Sequence, residues 1–340
     1  MSTIGLDGAG APFDDVGMRA VALLLALLAI GAVTAGAETI KTKLAKPRRG
    51  FQLRLTPFEV PVGEREVCQA IRLPIDRPID IDRITVRMPS GPTLASHHFA
   101  MFLANADAPN LPLDGPQTNV GCAGTGGVIV SPILAFVQRL GGDVVRFPKG
   151  IGVTLSPSQV LLLNSHYVNV GDGPASPDVA VNFRRARRGS VERHAKSFQL
   201  GTLRINVPPG GTADASAEWP VPFPMDLVWA SSHSHKHTVS VDVDAVVGGA
   251  ARPLVRTTSY AEPDFTYYKP PAMRFAAGDT IRWTCRYRNT TDDVVRFGVT
   301  ADDEMCFAVG FFVTDDDTIP PVPPSLDCFG GRLGLVCPLN

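Results

Sequence analysis

Three short stretches hold most of the side chains in this sequence able to bind a metal ion: Ser96-His97-His98-Phe99, Asn164-Ser165-His166-Tyr167 and Ser232-His233-Ser234-His235-Lys236-His237. The chain has seven histidines, and all but His194 fall in these places. A neutral imidazole nitrogen binds Zn, Cu, Fe or Ni and is the commonest protein metal ligand. Hydrogen-bonded core or surface histidines would account for any one of them but not for the clustering. The set therefore points to metal chemistry, with no catalytic side chain expected beyond the ligands.

The spacing says how each group could reach an ion. On a strand, residues two apart face the same way, so His233, His235 and His237 share a face with Val239, Val241 and Val243. That face is expected to be the core face, where an imidazole needs a partner and a metal would serve as one. His97 and His98 are neighbours and would diverge on a regular strand. Both can serve one ion only if the backbone is distorted there or the two use different ring nitrogens. His166 ends the apolar run from Leu161, with Asn164 on its face. A site of His97, His98 and His166 would suit Zn or Cu. Met305 lies in Asp302-Asp-Glu-Met-Cys-Phe307 and faces away from Cys306, which can bridge to Cys285. If Met305 joins His233 and His235, the soft thioether selects copper, Cu(I) in particular, over zinc.

These side chains must be presented by strands. Residues 51–320 alternate apolar and polar over short runs broken by Pro, Gly, Asp and Asn, as in Ile84–Met88, Val239–Ala245 and Ile281–Cys285. This is the period of half-buried strands. Strand follows strand without helices between, which predicts an all-β chain of antiparallel two-sheet sandwiches rather than a parallel α/β sheet. Only Pro132–Leu140 reads as a short helix. At 340 residues the length suits two domains. The charged stretch Arg184–Lys196, without strand alternation, marks the boundary, giving domains at 47–193 and 194–320, followed by a Pro- and Cys-containing tail at 321–340.

Net charge is -1 and charged residues make up 19% of the chain, so no nucleic-acid partner is expected. Residues 1–37 read as a signal peptide or N-terminal anchor. Ala20–Ala37 is uncharged, Arg19 precedes it, and Ala35-Gly36-Ala37 has the small-x-small form of a cleavage site. A membrane is implied only if this segment stays attached. Either way the rest of the chain is expected outside the cytoplasm, secreted or periplasmic, and its six cysteines are expected in disulfides.

The order of these elements resembles the copper type II, ascorbate-dependent monooxygenases, the family of peptidylglycine alpha-hydroxylating monooxygenase and dopamine beta-monooxygenase. The matching pieces are Val67-Cys-Gln-Ala-Ile-Arg-Leu-Pro74, His97-His98, Leu163-Asn-Ser-His-Tyr167, His233-Ser-His235, Asp264-Phe-Thr-Tyr-Tyr-Lys-Pro-Pro271, Gly278-Asp279 before Cys285, and Asp303-Glu-Met-Cys306. They run in the family's order over about 51–314. The resemblance implies two jelly-roll-like domains in tandem, each with a copper ion, facing one another across an open cleft. The first ion, for electron transfer, would be held by His97, His98 and His166. The second, where dioxygen binds, would be held by His233, His235 and Met305. It implies O2 as co-substrate, ascorbate or another one-electron donor as reductant, and insertion of one oxygen atom into a substrate C–H bond. It also implies the disulfides Cys68–Cys122 and Cys285–Cys306, leaving Cys328 and Cys337 as the remaining pair.

The sequence departs from the family at Asn164, where the family has Gln. In the peptide-amidating enzyme, Ser231 is an Arg, and Phe307 and Val309 are an Asn and a Tyr that hold the peptide. The substrate, a small molecule or a peptide, is therefore left open. Two alternatives stand beside the monooxygenase: a non-catalytic copper-binding protein of the same fold, and a zinc site built on His233, His235 and His237.

Overall fold

The computed structural model describes residues 37–108, 111–118, 132–298, 300–322 and 325–327. The expected N-terminal segment lies outside the described residues, as do Cys122, Cys328 and Cys337. Among the described residues every regular element is a strand. Where the sequence alternates, burial alternates with it: Ile281, Trp283 and Cys285 of strand Thr280–Arg288 are buried, while Arg282 and Arg286 are exposed. No helix long and apolar enough to cross a membrane occurs among the described residues.

Four sheets form two sandwiches. In the N-terminal half, the antiparallel sheet of Gly63–Arg72, Gln159–Asn169, Leu94–Asn105 and Ile133–Val137 lies against a sheet built around Ile79–Arg87 and Ala180–Arg185. Phe99, Met101, Leu161 and Leu163 of the first meet Ile81, Ile84, Val181 and Phe183 of the second in one core. In the C-terminal half, Met225–Ser234, Cys306–Val313 and Lys196–Thr202 form one sheet. Thr212–Pro220, Thr280–Arg288, Thr238–Val247 and Ala250–Thr257 form the other. Among the described residues no sheet takes strands from both sides of Ala195.

One sheet is covered on both faces. Met225–Ser234 and Cys306–Val313 are buried at every position. Leu227, Ala230, Ala308 and Phe312 belong to the C-terminal core. Val228, Trp229, Phe307, Val309, Phe311 and Val313 belong to the core of the N-terminal half. A strand covered on both sides needs apolar residues at successive positions rather than alternate ones. The register shift between Leu227 and Trp229 puts Val228 and Trp229 in the same core.

Two expectations are corrected. Pro132–Leu140 is not a helix; it holds strand Ile133–Val137, buried throughout. Leu134, Ala135 and Val137 enter one core and Ile133 and Phe136 another, and a short apolar run of this kind has no period that separates helix from strand. The stretch Arg184–Lys196 is not free of strands. Arg184 lies in Ala180–Arg185 and Lys196 opens Lys196–Thr202, with Val191–His194 between them. Two of its arginines are paired: Arg184 Nε lies 2.6 Å from Asp82 Oδ1 and an Arg193 nitrogen 2.8 Å from Asp226 Oδ2. Pairing is also not wholly antiparallel, since Val191–His194 runs parallel to Gly150–Leu155 and Ser325–Asp327 parallel to Lys196–Thr202.

The Cys285–Cys306 disulfide is formed and links the two sheets of the C-terminal sandwich. Cys68 is disulfide-bonded as well.

Candidate metal centre

His98 and His166 face each other across neighbouring antiparallel strands. The register slips between Ser96 and His98, so His97 is the extra residue of a bulge. A bulge re-aims a side chain that a regular strand would send to the other face, and here it brings the neighbours together. His97 Nδ1 is 3.1 Å from His98 Nδ1. His97, His98 and His166 each offer a ring nitrogen within a span of 4.8 Å. The rings stand on the sheet face opposite the buried Phe99, Met101 and Tyr167.

Hydrogen bonds choose which nitrogen each ring presents. Asn164 Nδ2 donates to the Glu66 carboxylate, which turns Asn164 Oδ1 toward His98 Nε2 at 2.8 Å. Glu64 Oε1 accepts from His166 Nε2 at 2.5 Å. Both rings therefore carry a proton on Nε2, which leaves Nδ1 as the atom that can face an ion. His166 Nδ1 is buried without a hydrogen-bond partner.

The second group is built differently. His233 lies near the end of strand Met225–Ser234, while His235, Lys236 and His237 form the turn before strand Thr238–Val247. The parity expected to run from His233 to Val243 is therefore broken at the turn, and Val239 is 44% exposed while Val241 and Val243 are buried. His233 Nδ1 donates to Gln138 Oε1 at 2.7 Å, and Gln138 Nε2 donates to the carbonyls of Ser234 and Tyr260. His235 Nδ1 donates to the Asp303 carbonyl at 3.0 Å. Each ring is thereby left with a lone pair on Nε2, and that of His235 is buried without a partner. Met305 immediately precedes strand Cys306–Val313, which partners His233, one residue beyond the Ser234–Cys306 pair.

The two groups do not face one another across an open cleft. His97 stands 4.8 Å from His166, 5.4 Å from His235 and 6.5 Å from His233, centroid to centroid. His98 lies 5.4 Å from His233, and His233 5.2 Å from His235. The reason is the doubly covered sheet, which seats the C-terminal half on the N-terminal core. Among the described residues His237 is outside these ring contacts. His194 is also apart, half-exposed with Nε2 3.6 Å from Asp80 Oδ1.

Burial favours the neutral form of the His97, His98, His233 and His235 rings. It holds His98 and His233 well below the usual histidine range, His97 at about 3 and His235 at about 4, with neighbouring imidazoles adding to the effect in each case. Glu64 is lowered to about 2, chiefly by its hydrogen bond with His166. Glu304 is wholly buried, and burial raises it to about 7 against the donors around it. Its carboxylate accepts from the backbone N–H of His235 at 3.0 Å, His237 at 2.6 Å and Met305 at 3.2 Å, and from Thr238 Oγ1 at 3.2 Å. One side chain thus fixes the turn that carries His235 and the residue before Cys306.

Glu64, Gln138 and Glu304 were not singled out by sequence reasoning. Glu304 had a signal, since it lies inside the Asp-Glu-Met-Cys motif beside Met305. Glu64 and Gln138 had none, because their partners are remote in sequence. The substituted positions are now placed as well. Phe307 is buried 6.2 Å from the His233 ring, Val309 is buried in the core, and Ser231 donates to the Asp264 carbonyl at 2.8 Å.

Residues 221–318 match the family described as copper type II ascorbate-dependent monooxygenase, C-terminal domain. The C-terminal part of the chain is therefore similar to that family's C-terminal domain. The matched segment contains His233, His235, Glu304 and Met305. No curated protein matches the chain. Among solved structures, it is similar to PBCV-1 VP54 fitted into a reconstruction of the virophage Sputnik, with 8% identity, 81% of this chain and 97% of that chain covered, and a TM-score of 0.26. It is similar to the PBSX exported protein XepA at 12% identity, with 80% and 90% covered and a TM-score of 0.21. For infectious bursal disease virus VP2 the values are 10%, 82%, 76% and 0.20. Likenesses this slight carry no argument about this chain.

The residues fit a metal of the kind the family uses. Bare, buried nitrogens on His166 and His235 are costly unless something accepts their lone pairs. Rings held neutral and oriented by outer partners are what a metal-binding histidine requires.

Proposed function

We propose that the chain is an extracytoplasmic copper-dependent monooxygenase that inserts one oxygen atom from O2 into a substrate C–H bond, with electrons from ascorbate or a similar one-electron donor. The observation that carries this reading is the pairing of two oriented ligand sets, one of them inside the matched family segment. His97, His98 and His166 would hold one copper ion in a domain spanning 47–193. His233, His235 and Met305 would hold another in a domain spanning 194–320. Copper, when bound, supplies the one-electron redox change that activation of dioxygen needs.

The chain's own residues prepare these sites. Asn164 and Glu64 hold His98 and His166 so that Nδ1 points to the ion. Gln138 and the Asp303 carbonyl hold His233 and His235 so that Nε2 does. Glu304 fixes the His235 turn by accepting its N–H groups, and the Cys285–Cys306 bridge pins the strand that follows Met305. Phe136 and Phe307 flank the His233 ring at 4.7 Å and 6.2 Å and keep water from that side. An oxidising compartment accords with that bridge. Phe307 and Val309 stand in place of the Asn and Tyr that hold the peptide in the amidating enzyme, and both are buried, so the substrate is left open.

A non-catalytic copper-binding protein is the second reading, supported by the same two substitutions. The zinc reading loses ground because His237 stands outside the ring contacts. Copper content and ascorbate-dependent oxygen consumption on the purified protein separate the three. Two copper ions with oxygen uptake stimulated by a C–H substrate support the monooxygenase. Two ions with no uptake across a broad panel of substrates support the binder, and a single zinc ends both.

A further inference from the structure

The outer face of the N-terminal sandwich carries charge that the metal centre does not use. Ile84, Val86, Val181 and Phe183 point into the core, so Arg83, Thr85, Asn182 and Arg184 point outward. Arg184 stands opposite Arg83 in the sheet, and Arg83 stands opposite Arg146 on the next strand, Val144–Arg146. Three arginines are thus abreast on neighbouring strands, and like charges placed directly opposite cost stability. Asp82 pairs with Arg184. Arg83 Nε is buried without a hydrogen-bond partner, and burial, then the charges of Arg184 and Arg146, lower the pKa of its guanidinium.

The segment that crosses this face adds more charge. Asn182 Nδ2 donates to the Ala45 carbonyl at 2.7 Å, Gln52 Nε2 to the Leu44 carbonyl at 2.9 Å, and the Arg185 N–H to the Arg49 carbonyl at 3.2 Å. These bonds leave Lys43, Lys46, Arg48 and Arg49 exposed beside the arginine row. Where strand Ala180–Arg185 ends, a cavity of about 360 Å³ is lined by Arg77, Arg185, Arg187 and Arg188. Asp80 lines it too, but its carboxylate accepts from Thr154 Oγ1 at 2.7 Å. Two basic stretches remote in sequence therefore make one surface. Among the described residues Lys46, Arg48, Arg49, Arg187 and Arg188 make no ion pair. The exposed face of the C-terminal sandwich is different: Arg256 and Arg286 both pair with Asp242, and Arg282 pairs with Glu218. That face balances its own charge and the N-terminal one does not.

We propose that this basic face docks on a lipid bilayer carrying anionic headgroups. Charge complementarity calls for a polyanion, and the chain itself favours a bilayer. The segment that lays Lys43–Arg49 on the face continues directly from the uncharged run Ala20–Ala37, so this face is the part of the fold next to any membrane that run enters. A polybasic surface beside such a run is attracted to anionic lipid, each Lys or Arg adding to the affinity. The His98 and His166 imidazoles stand on the opposing sheet, on its face away from the shared core, so docking here leaves the metal centre uncovered. The inference does not depend on the copper reading.

The test sediments the full chain with vesicles of phosphatidylcholine alone and with vesicles containing one third phosphatidylglycerol, at low and at high salt. An apolar run alone binds both kinds alike, whereas the basic face distinguishes them. The expected result is binding to the anionic vesicles about tenfold tighter or more at low salt, with the preference lost at high salt. The double variants Arg48→Gln/Arg49→Gln and Arg187→Gln/Arg188→Gln should each weaken anionic binding about fivefold per charge removed. Arg282→Gln/Arg286→Gln takes the same charge from the C-terminal face and should leave the preference unchanged. An equal loss from that variant would reduce the effect to net charge and overturn the inference. Equal affinity for the two kinds of vesicle also overturns it, and retention on heparin or a DNA duplex would then assign the face to a soluble polyanion.

Discussion

His233 Nδ1 lies 2.7 Å from Gln138 Oε1, across 95 positions of sequence and between the two halves of the chain. Gln138 is wholly buried and is used at both ends of its amide. Removing it as Gln138→Ala strands the Ser234 and Tyr260 carbonyls and the His233 N–H. At about 1–3 kcal/mol for a stranded buried group, the expected loss is about 2–4 kcal/mol after partial rehydration. Urea unfolding of the copper-free protein measures it, and a loss within error of zero would show that the amide is not a brace.

Glu304→Gln replaces an acceptor for three backbone N–H groups with a side chain that carries its own N–H. We expect the His235 turn to loosen, the copper held by His233, His235 and Met305 to be lost, and the copper held by His97, His98 and His166 to remain. Metal content should fall from two ions per chain to one. Retention of both ions, with unchanged spectra, would place the role of Glu304 in folding alone.

The copper-free protein should be acid-labile. Burial lowers His235 from 6.5 to about 4, so the unfolded chain takes up this proton first. The stability tied to the neutral ring is complete above about 6.5 and is lost as pH falls through about 4, a change of about 3 kcal/mol for this group. His97, lowered to about 3, adds in the same direction. Glu304, raised from 4.5 to about 7, works the other way, favouring the folded state below 4.5 and losing that contribution as pH rises through 7. The histidines outweigh it. Unfolding free energy of chelator-treated protein measured from pH 7.5 to 4 should fall steadily, and a flat profile would contradict neutral buried imidazoles.

Replacing the Cys285–Cys306 bridge by serines should cost about 3 kcal/mol, the closure entropy of a loop of 21 residues. Because Cys306 follows Met305 directly, copper should leave the second ligand set before the first. Copper release monitored during stepwise reduction reads the order, and the reverse order would separate the bridge from the site.

His237→Ala distinguishes the two registers of the histidine turn. The ring lies outside the imidazole contacts, so we expect two copper ions and full oxygen uptake to persist. His233→Ala and Met305→Ala should each abolish oxygen uptake while the first copper stays. A His237→Ala protein that loses copper would restore the zinc-like reading of the turn.

The sequence by itself determined the strands, put forward the ligand residues, and carried the resemblance that the match over residues 221–318 supports. Period-two alternation in Ile281–Cys285 is a local property and reappears as alternating burial. His97-His98, His233-Ser-His235 and Asp303-Glu-Met-Cys306 are legible because their spacing is short and their side chains rare. The need for a distorted backbone at His97 was also readable, since two adjacent rings cannot share a face of a regular strand. Only the tertiary structure decided what depends on contacts remote in sequence. The run at Pro132–Leu140 became a strand because both its faces are covered. The His233–Val243 parity failed because a turn, held by Glu304 from 66 or more positions away, interrupts it. The meeting of the two ligand sets was decided by Gln138, Glu64 and the doubly buried sheet carrying Trp229 and Phe311. Burial on both faces erases the alternation that a sequence reader follows, and a hydrogen bond between distant residues leaves no periodic trace in either segment.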